Sequence, residues 1–188
     1  MKQFFSVIAP KSMDHLLDIG GAAHTWVADA GEGHFPVTLI NLRFGSGSGD
    51  KRFTYMVGDA TNLPFAERAF DIAYSNSVIE HVGSFEKQRA FANEARRVAH
   101  KIWIQTPARS FPIEAHLLAP YIQYLPRKVQ HWLVPLTVRG MINRKVAHQC
   151  VDEVRLLTLR EFKGLFPDCR ILKERILGIT KSYIAVRL

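Results

Sequence analysis

Cysteine is scarce in this sequence: among 188 residues only Cys150 and Cys169 occur. Two thiols at that spacing offer neither a disulfide framework nor a set of metal ligands, so no metal is expected and a reducing, cytoplasmic setting fits. Long apolar runs are missing as well. None reaches the roughly 18–20 residues of a membrane-spanning helix, so the chain is not expected to cross a bilayer. The opening Met1-Lys2-Gln3-Phe4-Phe5-Ser6-Val7-Ile8-Ala9 is short for a secretory signal. Pro10-Lys11 stands where a small-residue cleavage site would fall, and the segment reads as mature protein. Acidic residues vanish from one stretch: after Glu114 the next is Asp152.

What is present suits a globular domain. The hydrophobic share of 47% beside 22% charged residues allows a real core, and the length fits one domain spanning residues 1–188. A formal net charge of +8 points to an anionic partner, whether nucleic acid, an acidic membrane surface or a phosphorylated substrate. Charge alone does not choose among them.

Short apolar runs alternate with helical spacing. Strands are expected at His15 to Ile19, Val37 to Asn41, Phe53 to Val57, Phe70 to Tyr74 and Lys101 to Gln105. Residues 22–30 leave room for a short helix, and residues 43–52, with their Gly-Ser repeat, read as a loop. Ser84 to Ala99 has helical periodicity with Ser84 as its N-cap, and Thr158 opens another helix with a Thr-x-x-Glu box to Glu161. Two β-rich runs, Arg170 to Leu177 and Lys181 to Leu188, end the chain. Such alternation argues an α/β fold, a mostly parallel sheet with helices on both faces.

Residues 108–151 interrupt the alternation. Arg127, Lys128, Arg139, Arg144 and Lys145 are interleaved there with Leu117, Leu118, Trp132, Leu133, Val134 and Leu136, and prolines 120, 126 and 135 break the stretch into short helices. It reads as a helical, basic and apolar insertion after the fifth strand, where α/β folds place substrate contacts. Tyr121 and Tyr124 have the spacing of core residues. The acid-free part of the insertion, Leu117 to Val151, also suits a peripheral membrane contact.

Two segments carry chemistry. Leu17-Asp18-Ile19-Gly20-Gly21-Ala22-Ala23-His24 is a strand entering a glycine turn, which lets backbone approach a nucleotide-like ligand. The second runs Val57-Gly58-Asp59-Ala60, then Leu63-Pro64-Phe65, then Phe70-Asp71-Ile72 through Glu80-His81-Val82. Together they resemble the class I S-adenosylmethionine-dependent methyltransferases, in particular the type 11 methyltransferase domain. Thr106-Pro107-Ala108-Arg109-Ser110-Phe111-Pro112-Ile113-Glu114-Ala115-His116 looks like a subgroup with poorly defined substrates.

The resemblance implies a Rossmann-like sheet of seven strands with the last antiparallel, and S-adenosylmethionine as cofactor. It implies that Asp18, Gly20 and Gly21 line the methionine end, that Asp59 and Ala60 receive the adenine, and that Ser75 and Asn76 sit beside the methionine moiety. Asn41 stands where the family carries an acidic ribose ligand, and Ala22 and His24 stand at two glycine positions of its turn. A neutral amide in place of the carboxylate weakens the site by about 1 kcal/mol, and Asn41→Asp is expected to tighten it.

Methyl transfer needs mainly positioning, plus a base when the nucleophile is a hydroxyl. His81, Glu114 and His116 are the candidates, with Glu80 behind them, because they follow strand ends on the cofactor side. Nucleic acid is a poor acceptor here: the base-amino motif Asp/Asn-Pro-Pro-aromatic is replaced by Ser75-Asn76-Ser77-Val78, and no Pro-Cys nucleophile occurs. The expected function is methylation, on oxygen or nitrogen, of a small or lipid-linked acceptor. Asn41 and the incomplete glycine turn keep a second reading open, a cofactor-impaired relative that acts as a binding module.

Overall fold

In the computed structural model, residues 1–27, 35–43 and 49–188 are described. In chain order the elements are α1 (Lys2–Ile8), β1 (Leu16–Ile19), α2 (His24–Val27), β2 (Val37–Asn41), β3 (Phe53–Val57), β4 (Phe70–Asn76), α3 (Phe85–Val98) and β5 (Ala99–Pro107). A small ribbon of β6 (Ile113–Glu114) and β7 (Ala119–Pro120) follows, then α4 (Arg127–Leu133), α5 (Val138–Ile142) and α6 (Arg144–Glu153). Helix α7 (Leu159–Leu165) leads to β8 (Arg170–Ile176) and β9 (Ile179–Arg187).

Seven strands form one sheet in the order β3-β2-β1-β4-β5-β9-β8. Strands β1 to β5 pair in parallel, while β9 runs antiparallel to both β5 and β8. The expected antiparallel last strand is therefore present. The order reverses between β1 and β4, and their carboxyl ends open the crevice in which such sheets hold ligands.

Alternation along the strands divides the core between two faces. Leu17, Ile19, Ala73 and Ile102 pack with Phe91, Ala95 and Val98 of α3 and Phe162 of α7. Leu16, Leu39, Ile72 and Trp103 face the other way, against Phe4, Ile8 and Trp26. Phe4 meets Trp26, Tyr74 and Trp103 edge-on at centroid distances of 5.7, 5.2 and 5.7 Å. This makes α1 part of the core, although the sequence reading assigned the segment no element.

The expected caps are in place. Ser84 accepts the Lys87 N–H, and Thr158 and Glu161 form the reciprocal capping box of α7. Of the helix expected over 22–30, His24–Val27 is helical and residues 28–30 lie outside the described residues, as do residues 44–48 of the expected loop.

Between β5 and α7, the helices α4 to α6 enclose a small core of Leu117, Ala119, Ile122, Val134, Ala147 and Val151. Tyr121 and Tyr124 do not join it. Tyr121 adopts a left-handed turn (φ 57°) and is 63% exposed, so only Ile122 of that 3₁₀ turn points inward. The exposed Tyr124 donates its hydroxyl to the Arg109 carbonyl at 2.9 Å, beneath the Arg109 guanidinium. Core spacing was the wrong reading for both.

Candidate active site

Gly20 ends β1 at φ +80°, and a Cβ there would lie 2.6 Å from a Val78 methyl. Gly21 follows so closely over Asp18 that a Cβ would fall 1.8 Å from its Oδ2. Both positions need glycine, the first for its backbone angle and the second for space. Asp18 is fully buried behind this turn. Its Oδ2 accepts the Trp26 Nε1–H at 2.7 Å, and its Oδ1 has no partner. Burial pushes its pKa up to about 7, against the lowering effect of the Trp26 bond.

In front of the turn lies a cavity of about 690 Å³, lined by the ends of β1, β2 and β3 and by the segment after β4. Gly20, Asn41, Asp59, Ala60, Ser77 and His81 are on its wall. Asn41 donates Nδ2–H to the Gly21 carbonyl at 3.0 Å, which ties β2 to the glycine turn. Asp59 takes the Thr61 N–H and hydroxyl on Oδ1, both at 2.8 Å. These bonds fix its carboxylate on the rim and hold its pKa below the ordinary range.

His81 begins a chain of polar contacts. Its Nε2 stands 3.2 Å from Nε2 of His116, whose Nδ1 donates to Glu114 Oε1 at 2.7 Å. The other Glu114 oxygen receives the Leu117 N–H at 2.6 Å. Burial would lower the His116 pKa, but the bond to Glu114 and its charge outweigh that and raise it. His81 is shifted the other way, by burial and then by the charge on His116. The pair is therefore graded: a proton rests better on His116 than on His81.

Glu80 is turned inward and fully buried. Its Oε2 accepts the Thr106 hydroxyl at 2.9 Å, Oε1 has no partner, and burial lifts its pKa to about 7.

A second cavity, of about 380 Å³, meets the first at Ser77. Tyr74, Asn76, Trp103, Phe111, Glu174 and Lys181 are on its wall.

Residues 21–101 match the family described as methyltransferase domain. That segment is similar to the methyltransferase domains that use S-adenosylmethionine. Solved structures share the fold. A methyltransferase from Methanosarcina mazei aligns with TM-score 0.54 and 15% identity over 94% of this chain and 92% of its own. A phosphoethanolamine N-methyltransferase 2 of Haemonchus contortus, in complex with S-adenosyl-L-methionine, gives 0.57 and 17% over 92% of this chain and 38% of its own. A complex between the Haloferax volcanii Trm112 methyltransferase activator and a methyltransferase gives 0.60 and 10% over 98% and 86%. A search of curated proteins finds no match.

The residues of the methyltransferase domain fit its cofactor. S-adenosylmethionine joins a cationic amino-acid end to an adenosine. The unpartnered Oδ1 of buried Asp18 suits a cation, and the Asp59 carboxylate on the cavity rim suits an exocyclic amine. Asp18 stands behind the glycine turn rather than on the cavity wall. Two expected contacts need correction. Ser75 is fully buried and donates its hydroxyl to the Ile19 carbonyl at 2.8 Å, so it joins β4 to β1 inside the sheet. Asn76, exposed at the strand end, lines the second cavity. Ser77, at φ +57° and shared by both cavities, was missed, since nothing in its local sequence marks it.

Proposed function

We propose that this methyltransferase acts on an oxygen or nitrogen of a small or lipid-linked acceptor, with His81 as proton acceptor and His116 and Glu114 behind it. The observation that carries this reading is the Glu114–His116–His81 chain, which ends on the wall of the cofactor cavity. When bound, S-adenosylmethionine supplies an electrophilic methyl on a sulfonium. Asp59 takes its adenine end on the rim, buried Asp18 supports the methionine end from behind the glycine turn, and Gly20 and Ala60 leave room for it. The second cavity holds the acceptor, its aromatic floor of Tyr74 and Trp103 suiting an apolar body.

The acceptor's proton arrives at His81 Nδ1. His81 gives its Nε2 proton to His116 Nε2, and the resulting imidazolium is paired through Nδ1–H with the Glu114 carboxylate. The downhill order of the two imidazoles favours that direction. Labelled methyl from S-adenosylmethionine, offered to separate aqueous and lipid extracts, tests the proposal. His81→Ala is expected to cut incorporation by roughly 10²–10⁴ while cofactor binding persists. Undiminished incorporation would remove His81 from this role.

The lipid-linked form of the proposal is supported by the surface of residues 108–151. Trp132 is 76% and Ile142 72% exposed, with Leu136 and Met141 exposed beside them among Arg127, Lys128, Arg139, Arg144 and Lys145. Such a surface suits anionic lipid, where each basic side chain near the headgroups adds about 1 kcal/mol. No helix among the described residues is long and apolar enough to cross a membrane, and the contact proposed is a peripheral one. Sedimentation with anionic but not neutral liposomes at low salt is expected. Equal recovery in both supernatants would leave the small-molecule acceptor alone.

A further inference from the structure

We propose that Glu80, His81 and His116 form a binding site for one divalent transition-metal ion of the zinc class, beside the cavity that His81 lines. Each residue brings one ligand atom, and these atoms lie within 4.8 Å of one another. The two Nε2 atoms are 3.2 Å apart. Two imidazole nitrogens bound at about 2.0–2.1 Å to one tetrahedral ion stand about 3.3 Å apart, so the histidine pair is already at chelating distance. A modest movement of the Glu80 carboxylate completes the set.

An independent observation points to a cation. Glu80 is fully buried, yet its Oε1 has no hydrogen-bond partner. A buried carboxylate oxygen left without a donor is costly, and a bound ion relieves that cost. Surrounding groups complete the picture. Glu114 receives the His116 Nδ1–H at 2.7 Å and is itself held by the Leu117 N–H. That bond leaves the Nε2 lone pair for the ion, in the carboxylate–histidine–metal arrangement that tunes such sites. A second histidine cluster provides the contrast. His131 spends Nδ1 on His148 and Nε2 on Asp152, and it leaves no buried group unpartnered.

Three protein ligands leave a coordination position open, the pattern of catalytic rather than structural sites. Binding displaces the proton between the two Nε2 atoms to solvent, and nothing is oxidised or reduced. With the ion on both Nε2 atoms the proton relay between them is replaced: the open position would take an acceptor oxygen and lower its pKa. This last step rests on the methyl-transfer reading; ion binding does not.

The test uses the full chain, with Zn²⁺ titrated by calorimetry and Co²⁺ followed by its visible absorption. One ion per chain is expected. His81→Ala, His116→Ala and Glu80→Gln should each weaken binding about tenfold or more, and Glu114→Gln by roughly 10–100-fold. His131→Ala should leave it unchanged. His81 is exposed, so its removal spares the core, and circular dichroism checks each fold. No ion bound by the unmodified chain, or binding retained in His81→Ala and lost in His131→Ala, overturns the site. S-adenosylmethionine titrated into the same samples separates the two claims: a chain that binds the cofactor but takes up no Zn²⁺ refutes only the ion site.

Discussion

At Glu114, burial alone would lift the carboxylate's pKa, but the His116 bond and charge and the Leu117 N–H bring it below its ordinary value. Glu80 lacks an equivalent set of donors and is pushed up to about 7. The groups acting on His116 are Glu114 and Glu80, which raise its pKa, and Arg139, which lowers it, with His81 at its Nε2. Glu114→Gln removes the main raising charge. The His116 resonance should then titrate at lower pH than in the unmodified protein, where its midpoint lies above 6.5, the ordinary histidine value. A histidine-resolved NMR titration reads this directly, and an unmoved midpoint would contradict the pairing. Glu114, His116 and His81 could be selected from sequence because each follows a strand end. Their contact could not, since 35 residues separate the two histidines. Asn41 is on the cavity wall. Its amide donates to the Gly21 carbonyl, a bond that a carboxylate cannot make, so the gain expected of Asn41→Asp is withdrawn.

Among the elements, those with a strong local signature were legible. Alternating strands, the Ser84 cap and the Thr158–Glu161 box all appear where periodicity and capping chemistry put them. Helix α1 has no side-chain cap and only seven residues, and it is held by Phe4 and Ile8 packing on the sheet. Tertiary burial of that kind leaves no local signal. The short helices between β5 and α7 depend on one close approach. Gly140 donates its N–H to Thr137 Oγ1 at 3.0 Å, and a Cβ on it would fall 1.8 Å from the Val134 carbonyl oxygen. Gly140→Ala should therefore loosen this region while the sheet stays folded. Limited proteolysis should cut faster within residues 108–151, whereas an unchanged cleavage rate would show that the approach is not limiting.

For the whole molecule, the order of the sheet places the chemistry. Strands β1 and β4 pair side by side at the reversal of strand order, and their carboxyl ends carry Asp18, the glycine turn and the Ser77 junction between the two cavities. Alternation of strands and helices made this architecture legible. The Gly58-Asp59-Ala60 segment and the His81-Val82 pair both reach the wall of the first cavity. The second cavity was not legible, because it is assembled from α1, the β4 and β5 ends, the segment of Phe111, Ile113 and Ala115, and strands β8 and β9, regions with no shared motif. The account stands most directly on cofactor binding. Calorimetric titration of the full chain with S-adenosylmethionine should show one site, and Asp59→Ala should weaken it by about 1 kcal/mol, roughly fivefold, the size of one partly exposed hydrogen bond. No saturable heat from the unmodified chain, or equal affinity in Asp59→Ala, would contradict the cavity assignment.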